Sequence, residues 1–350
     1  MVRPGIPLAL LSAALFGAST PFAKLLLGVV DPQVLAGLLY LGAGLGLTAF
    51  HLCRAALRLP ALEAPLRSWD VPWLGLVILA GGISGPLLLM LGLTRTDAAS
   101  ASLLLNLEGL ATLGIAWLWF HENVDRRLAL GAFAILAGAA VLSWHGWATL
   151  DLGGVLIVGA CLCWGIDNNL TRKLSSADPV QIAMLKGLVA GSFNLLLGLA
   201  NGAVLPPASV VLAAGAVGFL GYGVSLALFV LGLRHLGAAR TGAYFSLAPF
   251  VGAMLAVIML GDPISAPLLA AAGLMGVGLW LHLAERHEHE HAHEATGHEH
   301  RHRHDEHHRH DHEPDVDPHE PHSHWHRHEP MLHRHPHYPD LHHRHGHHQA

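Results

Sequence analysis

Apolar residues fill the first 284 positions in long blocks, separated at fairly even intervals by proline, glycine and charge. Ten blocks reach the roughly 20 residues that a bilayer-crossing helix requires. They fall near residues 6–29, 34–56, 71–93, 97–120, 127–147, 153–172, 180–201, 209–232, 238–260 and 265–284. Breakers such as Asp31-Pro32, Asp178-Pro179, Pro206-Pro207 and Gly261-Asp262-Pro263 close them. Hydrocarbon offers no partner to unpaired backbone groups, so each block is predicted to be helical. The expected fold class is an all-α membrane protein with ten transmembrane helices, followed by a polar tail.

Basic residues in the short loops set the predicted orientation. One side carries Arg3, Arg54, Arg58, Arg67, Arg126, Arg127, Arg172, Lys173, Arg234 and Arg240, and the other only Arg95. Both termini are therefore expected in the cytoplasm. The first apolar run is too long for a signal-peptide core and lacks a small-x-small cleavage site before Asp31, which makes it a retained helix.

The pattern also repeats. Phe16-Gly17 answers Trp164-Gly165, Asp31-Pro32-Gln33-Val34 answers Asp178-Pro179-Val180-Gln181, and Gly92-Leu93 answers Gly232-Leu233. Five helices per repeat is an odd number, so the copies enter the membrane in opposite senses, an architecture that serves alternating access. Residues 1–147 and 148–284 are the two expected five-helix repeats, and residues 285–350 the tail.

Composition sharpens this division. The chain is 52% hydrophobic and 13% charged with mean hydropathy +0.43, values that displace a soluble multi-domain reading. The tail from Glu285 holds seven Arg and fourteen Asp or Glu, formally −7; the total of −5 leaves +2 for the body. No lysine-rich nucleic-acid footprint is present. Cys53, Cys161 and Cys163 all lie in apolar runs, which points to buried thiols rather than a disulfide framework.

The aromatic-glycine turns at Phe16-Gly17 and Trp164-Gly165 resemble those of the EamA-type ten-helix members of the drug/metabolite transporter superfamily. Leu107-Glu108-Gly109-Leu110 with its counterpart Leu247-Ala248-Pro249-Phe250, and the acidic helix ends at Glu122 and Asp262, carry the same resemblance, which covers about residues 6–284. It implies export or exchange of small metabolites, amino acids or drugs across the cytoplasmic membrane. Gly109 departs from the family's usual proline, which the second half keeps at Pro249, so the resemblance implies a kink in the ninth helix and leaves the fourth open.

Ionisable groups inside apolar spans are costly and read as functional. Glu108 stands near the bilayer centre, eleven residues from Asp97, and must be paired or protonated. It reads either as a coupling or substrate-binding carboxylate or as a protonated contact to a neighbouring helix. Asp167 is five residues from Arg172 and Lys186 six from Val180, placing both about 7–9 Å inside the cytoplasmic face on consecutive antiparallel helices. An ion pair between them fits, as a clamp or as part of a site. Asn168 and Asn169 diverge by about 100°, so at least one is expected to face the interior. Tyr244 adds a hydroxyl from the second half. Lys24 and Arg172 sit near helix ends, where long basic chains snorkel, and the Gly81-Gly82-Ile83-Ser84-Gly85-Pro86 run is expected to loosen the third helix.

The tail holds 25 of the 30 histidines, no cysteine and few aliphatic residues, so no core forms and disorder without ligand is expected. Its His-x-His spacing suits Zn²⁺, Ni²⁺, Co²⁺ or Cu²⁺, with His287, His289, His291, His293, His300, His302 and His304 as the first candidate ligands. His287-Glu288-x-x-His291 matches a zinc-protease pattern through composition alone. Acidification would swing the tail toward positive charge and onto anionic lipid, a pH-sensor reading.

The leading expectation is a secondary transporter, not an enzyme and needing no cofactor, in a bacterial inner membrane. It would export a small solute bound by Glu108, Asp167, Asn168, Asn169, Lys186 and Tyr244. Efflux of a divalent transition metal is the alternative, and a non-transporting, membrane-tethered metal buffer or sensor the rival from another class. Expected partners are the lipid bilayer and a small-molecule or metal-ion substrate, with no nucleic acid; a homodimer is a further expectation.

Overall fold

The computed structural model describes residues 5–58, 66–120, 126–143, 152–171, 174, 178–236 and 244–283, with four short segments of the tail. The body is helical throughout. Helices α1 (Gly5–Leu27), α2 (Pro32–Ala56), α3 (Val71–Val77), α4 (Gly85–Leu93), α5 (Ala98–Leu104), α6 (Leu107–Phe120) and α7 (Arg126–Ser143) come from the first half. Helices α8 (Leu152–Thr171), α9 (Pro179–Ala200), α10 (Ala208–Gly218), α11 (Ser225–Leu236), α12 (Ala248–Leu260) and α13 (Ala266–Leu283) follow.

The repeated Asp-Pro pairs act as helix starters. Asp31 Oδ1 accepts the Gln33 and Val34 N–H groups at 2.8 and 3.2 Å, and Asp178 Oδ1 accepts that of Val180 at 2.8 Å. Each aspartate thus satisfies orphan donors of the first turn, while the proline at the first helical position gives up an N–H that has no partner there.

Seven helices are long and apolar enough to cross a membrane, judged by length and composition, and Ala129–Leu142, Ala248–Leu260 and Ala266–Leu281 are shorter apolar helices. The ten blocks of the sequence thus appear as seven full-length and three short helices among the described residues. In the ninth block a turn at Ser246-Leu247 precedes α12, and Gly261, at φ 69°, ends it in the left-handed conformation.

Small residues dominate the inside, and large apolar residues such as Phe133, Leu212, Ile258 and Trp280 stand on the outside, the pattern expected where lipid covers the surface. Helix α1 packs on α11 and α12, α8 packs on α4 and α6, α2 packs on α9, and α7 packs on α13. Glycines allow the closest approaches: Gly44 lies on Leu188 and Gly187, and Gly17 lies on the Ala248 carbonyl.

Two π-helical segments interrupt corresponding helices, Ile78–Ser84 between α3 and α4, and Phe219–Val224 between α10 and α11. The first coincides with the glycine run expected to loosen the third helix. The fourth apolar block breaks too, at Leu105-Asn106, although Gly109 replaces the family's proline; Asn106 Nδ2 donates to the Leu103 carbonyl there at 2.9 Å.

One expectation is corrected. Cys161 is buried and Cys163 half-buried, but Cys53 is exposed near the end of α2, where Phe50, His51 and Leu52 are exposed as well among the described residues. In the tail, four short backbone strands are described, β1 (Glu288–His293), β2 (Gly297–His302), β3 (His322–Arg327) and β4 (Met331–Pro336). β1 pairs antiparallel with β4, and β2 with β3. Backbone ladders supply these bonds without an apolar core, and an alternating sequence matches the two-residue period of a strand. His287 and His304 lie outside the described residues, as do Glu122 and Arg172.

Candidate functional site

Helix α8 presents two polar stripes. Gly165, Asn168 and Asn169 follow the i, i+3, i+4 spacing of one face and meet α6. Gly165 lies so close to Ala111 and Thr112 that an added Cβ would come within 2.7 Å of the Ala111 Cβ, and this contact brings the two asparagines into reach of α6. Asn168 Nδ2 donates to Glu108 Oε1 at 3.0 Å and to Thr112 Oγ1 at 3.1 Å. The buried Asn169 donates to the Thr112 carbonyl at 3.0 Å and to Gly165 at 2.8 Å. Its Oδ1 is buried with no hydrogen-bond partner among the described residues, as is Oδ1 of Asn194.

Trp164, Asp167 and Thr171 lie on the adjoining face. Asp167 Oδ2 forms an ion pair with Lys186 Nζ of α9, and Asp167 Oδ1 accepts the Thr171 hydroxyl at 3.2 Å. The Asp167 side chain is 7% exposed and that of Lys186 18%, so the pair is largely withdrawn from the surface. It rests against the π segment: an added Cβ on Gly81 would stand 2.0 Å from Asp167 Oδ2, and one on Gly82 would meet Lys186 and Ala190.

The π segment leaves one of its carbonyls without a helical donor. Its bonds run from residue i+5 back to residue i, as from Gly85 N to the Ala80 carbonyl. The matching donor for the Gly81 carbonyl would be residue 86, which is proline and has no N–H. Tyr40 OH and Trp164 Nε1 fill the vacancy, donating to Gly81 O at 2.9 and 3.0 Å. Asn194 Nδ2 donates to the Ile83 carbonyl at 3.3 Å in the same segment.

Tyr40 links this polar region to an aromatic one. Its ring lies 5.5 Å from that of Tyr222 in the second π segment, Tyr222 lies 5.8 Å from Phe16, and Phe16 lies 5.2 Å from Phe245. Where the first region holds ions, the second holds hydroxyls: Ser12 Oγ donates to the Ser225 carbonyl at 2.7 Å and Ser225 Oγ to that of Ser12 at 2.9 Å. The position answering Asp167 is Ser19, whose Cβ lies against Gly221 as Asp167 lies against Gly81.

A profile of the EamA-like transporter family matches residues 3–144 and again 151–284. The chain belongs to the EamA-like transporter family. An uncharacterized transporter of Methanothermobacter thermautotrophicus is 31% identical over 266 residues, covering 71% of this chain and 77% of the relative. A probable terminal-alkyne amino-acid exporter of Streptantibioticus cattleyicolor is 26% identical over 251 residues, 67% of this chain and 81% of that one. One crystal structure of a protein shares the fold with a TM-score of 0.60 at 20% identity, over 80% of this chain and 96% of its own.

In this EamA-like chain, five of the six substrate-site candidates from the sequence lie together: Asn168 and Asn169 on one stripe of α8 with Glu108 facing them from α6, and Asp167 on the other stripe with Lys186 facing it from α9. Tyr244 does not join them in the described contacts; it is half-buried on the segment leading to α12, which packs on α1 and α5. Thr112 accepts from Asn168, and Tyr40 and Trp164 hold the Gly81 carbonyl beside Asp167. Lys24 Nζ donates to the Leu93 and Thr96 carbonyls and so caps the end of α4.

Proposed function

We propose that the protein is a secondary transporter that exports a small organic solute by alternating access, through ten spans arranged as two inverted five-helix repeats. The observation that carries this reading is the half-exposed Glu108–Asn168–Thr112 cluster beside the largely buried Asp167–Lys186 pair: anionic, cationic and amide groups sit next to one another along apolar spans. The contact pattern supports the inverted repeat, since α1 on α11 and α12 mirrors α8 on α4 and α6.

A solute with an ammonium and a carboxylate fits such a lining. Glu108 and the free Oδ1 atoms of Asn169 and Asn194 accept from the ammonium, Lys186 meets the carboxylate, and the rings of Phe16, Tyr222 and Phe245 take an apolar side chain. The probable amino-acid exporter among the relatives is consistent with that class. The π segments at Gly81 and Tyr222 serve as paired hinges, and the excess of basic residues in one set of loops places both termini and the tail in the cytoplasm. The tail binds divalent transition metal there.

Metal efflux is the second reading, favoured by the histidine tail. Among the described residues, no group of three His, Cys, Asp or Glu could hold an ion in the body, which favours the organic solute. Reconstitution into proteoliposomes separates the two: counterflow of labelled neutral amino acids is expected, and flux of Ni²⁺, Co²⁺ or Zn²⁺ without amino-acid flux would reverse the assignment.

A further inference from the structure

The two members of the Asp167–Lys186 pair rest on consecutive glycines of the first π segment. Asp167 Oδ2 lies against Gly81 from α8, and the Lys186 side chain, with Ala190, lies against Gly82 from α9. Each of these helices also donates one hydrogen bond to the segment. Trp164, three residues before Asp167 and on the same face of α8, donates to the Gly81 carbonyl at 3.0 Å. Lys186, Ala190 and Asn194 follow an i, i+4, i+8 spacing along one stripe of α9, and Asn194 donates to the Ile83 carbonyl at 3.3 Å. The ion pair therefore joins α8 to α9 at the point where both hold Ile78–Ser84. The second π segment is held differently: Gly221 meets Ser19, whose hydroxyl donates back to the Phe16 carbonyl of its own helix at 2.6 Å.

We propose that the Asp167–Lys186 pair is a clasp on the first π segment, with Asp167 as a positioning residue, and that the carboxylate of the solute opens it by taking Lys186 from Asp167. The inference rests on the reading of Lys186 as the contact for a solute carboxylate. Exchanging one carboxylate for another leaves the ammonium paired, so Lys186 is spared the penalty of a lone charge in an apolar span. What changes is the element to which the lysine is tied. With Lys186 turned to the solute, Asp167 keeps the Thr171 hydroxyl of its own helix and no longer joins α8 to α9 beside Gly81 and Gly82. The solute thus interacts differently with the clasped and unclasped states, which is what a ligand-driven conformational change requires. A solute with an ammonium and no carboxylate leaves the clasp shut, so selection for the carboxylate falls on the conformational step.

Hydrogen–deuterium exchange of the full chain in detergent reads the clasp over residues 78–86, with α7 and α13 as internal references. In the unaltered chain, L-phenylalanine is expected to speed exchange over 78–86 by about fivefold or more, and phenethylamine, the same molecule without its carboxylate, by less than about twofold. The double variant Asp167→Asn with Lys186→Met has no clasp. Its exchange over 78–86 is expected to be fast without solute and insensitive to L-phenylalanine, with the references unchanged. Exchange over 78–86 equal to that of the unaltered chain, or raised alike in the references, would overturn the clasp whatever the solute does. Equal responses of the unaltered chain to the two solutes, or no response to L-phenylalanine in a preparation that shows its counterflow, would overturn opening by the carboxylate. Absence of L-phenylalanine counterflow counts against the amino-acid reading, and the double variant still decides the clasp.

Discussion

Asp167 and Lys186 each carry a charge that the membrane interior penalises, and each removes the other's penalty. Their pairing was legible in the sequence because depth on two antiparallel helices follows from counting residues. Glu108 was legible as a lone carboxylate in an apolar run, but its partners were not: Thr112 is one hydroxyl among many, and its role depends on Gly165 letting α8 approach α6. Replacing Asp167 with Asn leaves the ammonium of Lys186 without a counter-ion. Breaking such a pair costs on the order of 3–5 kcal/mol, toward the low end here because the Lys186 side chain is 18% exposed. The double variant Asp167→Asn with Lys186→Met removes both charges and is expected to recover most of that stability in thermal unfolding. Single and double variants of equal stability would mean that the two charges do not stabilise each other.

At the scale of elements, one missing N–H in the third span leaves a carbonyl to be served from elsewhere. Pro86 cannot serve the Gly81 carbonyl, and Tyr40 and Trp164 do so from helices distant in sequence. The glycine-proline run announced a loosened helix, but a sequence does not disclose which remote side chains repair it. Tyr40→Phe is expected to cost about 1 kcal/mol in the unaltered chain and less in a Pro86→Ala background, where residue 86 supplies an N–H; a double-mutant cycle reads the difference. Gly81→Ala drives a Cβ into Asp167 and is expected to destabilise by about 1–3 kcal/mol, visible as a lowered unfolding temperature. The break at Leu105-Asn106 was hidden for a different reason: the proline expected to cause it is absent, yet the chain still turns, with Asn106 bonding back to Leu103. The tail strands were hidden because alternation of histidine with charge carries no apolar face by which to recognise a strand.

For the whole molecule, the sequence disclosed the helical body, its two matching halves and the seam between body and tail, since apolar block length and repeated Asp-Pro starters are local signals. Helix-to-helix contacts are not local, and the asymmetry between an ionic cluster on one side and serines and aromatic rings on the other emerges only when α8 and α1 are set in their places. The orientation is open to a direct check. In a chain with Cys53, Cys161 and Cys163 replaced by Ser, a cysteine at the exposed Thr94 position is expected to react with a membrane-impermeant maleimide in intact cells, and one at the exposed Ser68 position only after permeabilisation. The opposite pattern would invert the protein. The central claim is that the polar cluster around Glu108 handles the solute, and Glu108→Gln tests it most directly, because glutamine keeps an acceptor for Asn168 and loses only the ionisable group. In proteoliposomes, amino-acid counterflow is expected to fall by about tenfold or more with the unfolding temperature nearly unchanged; flux equal to that of the unaltered protein would contradict the assignment.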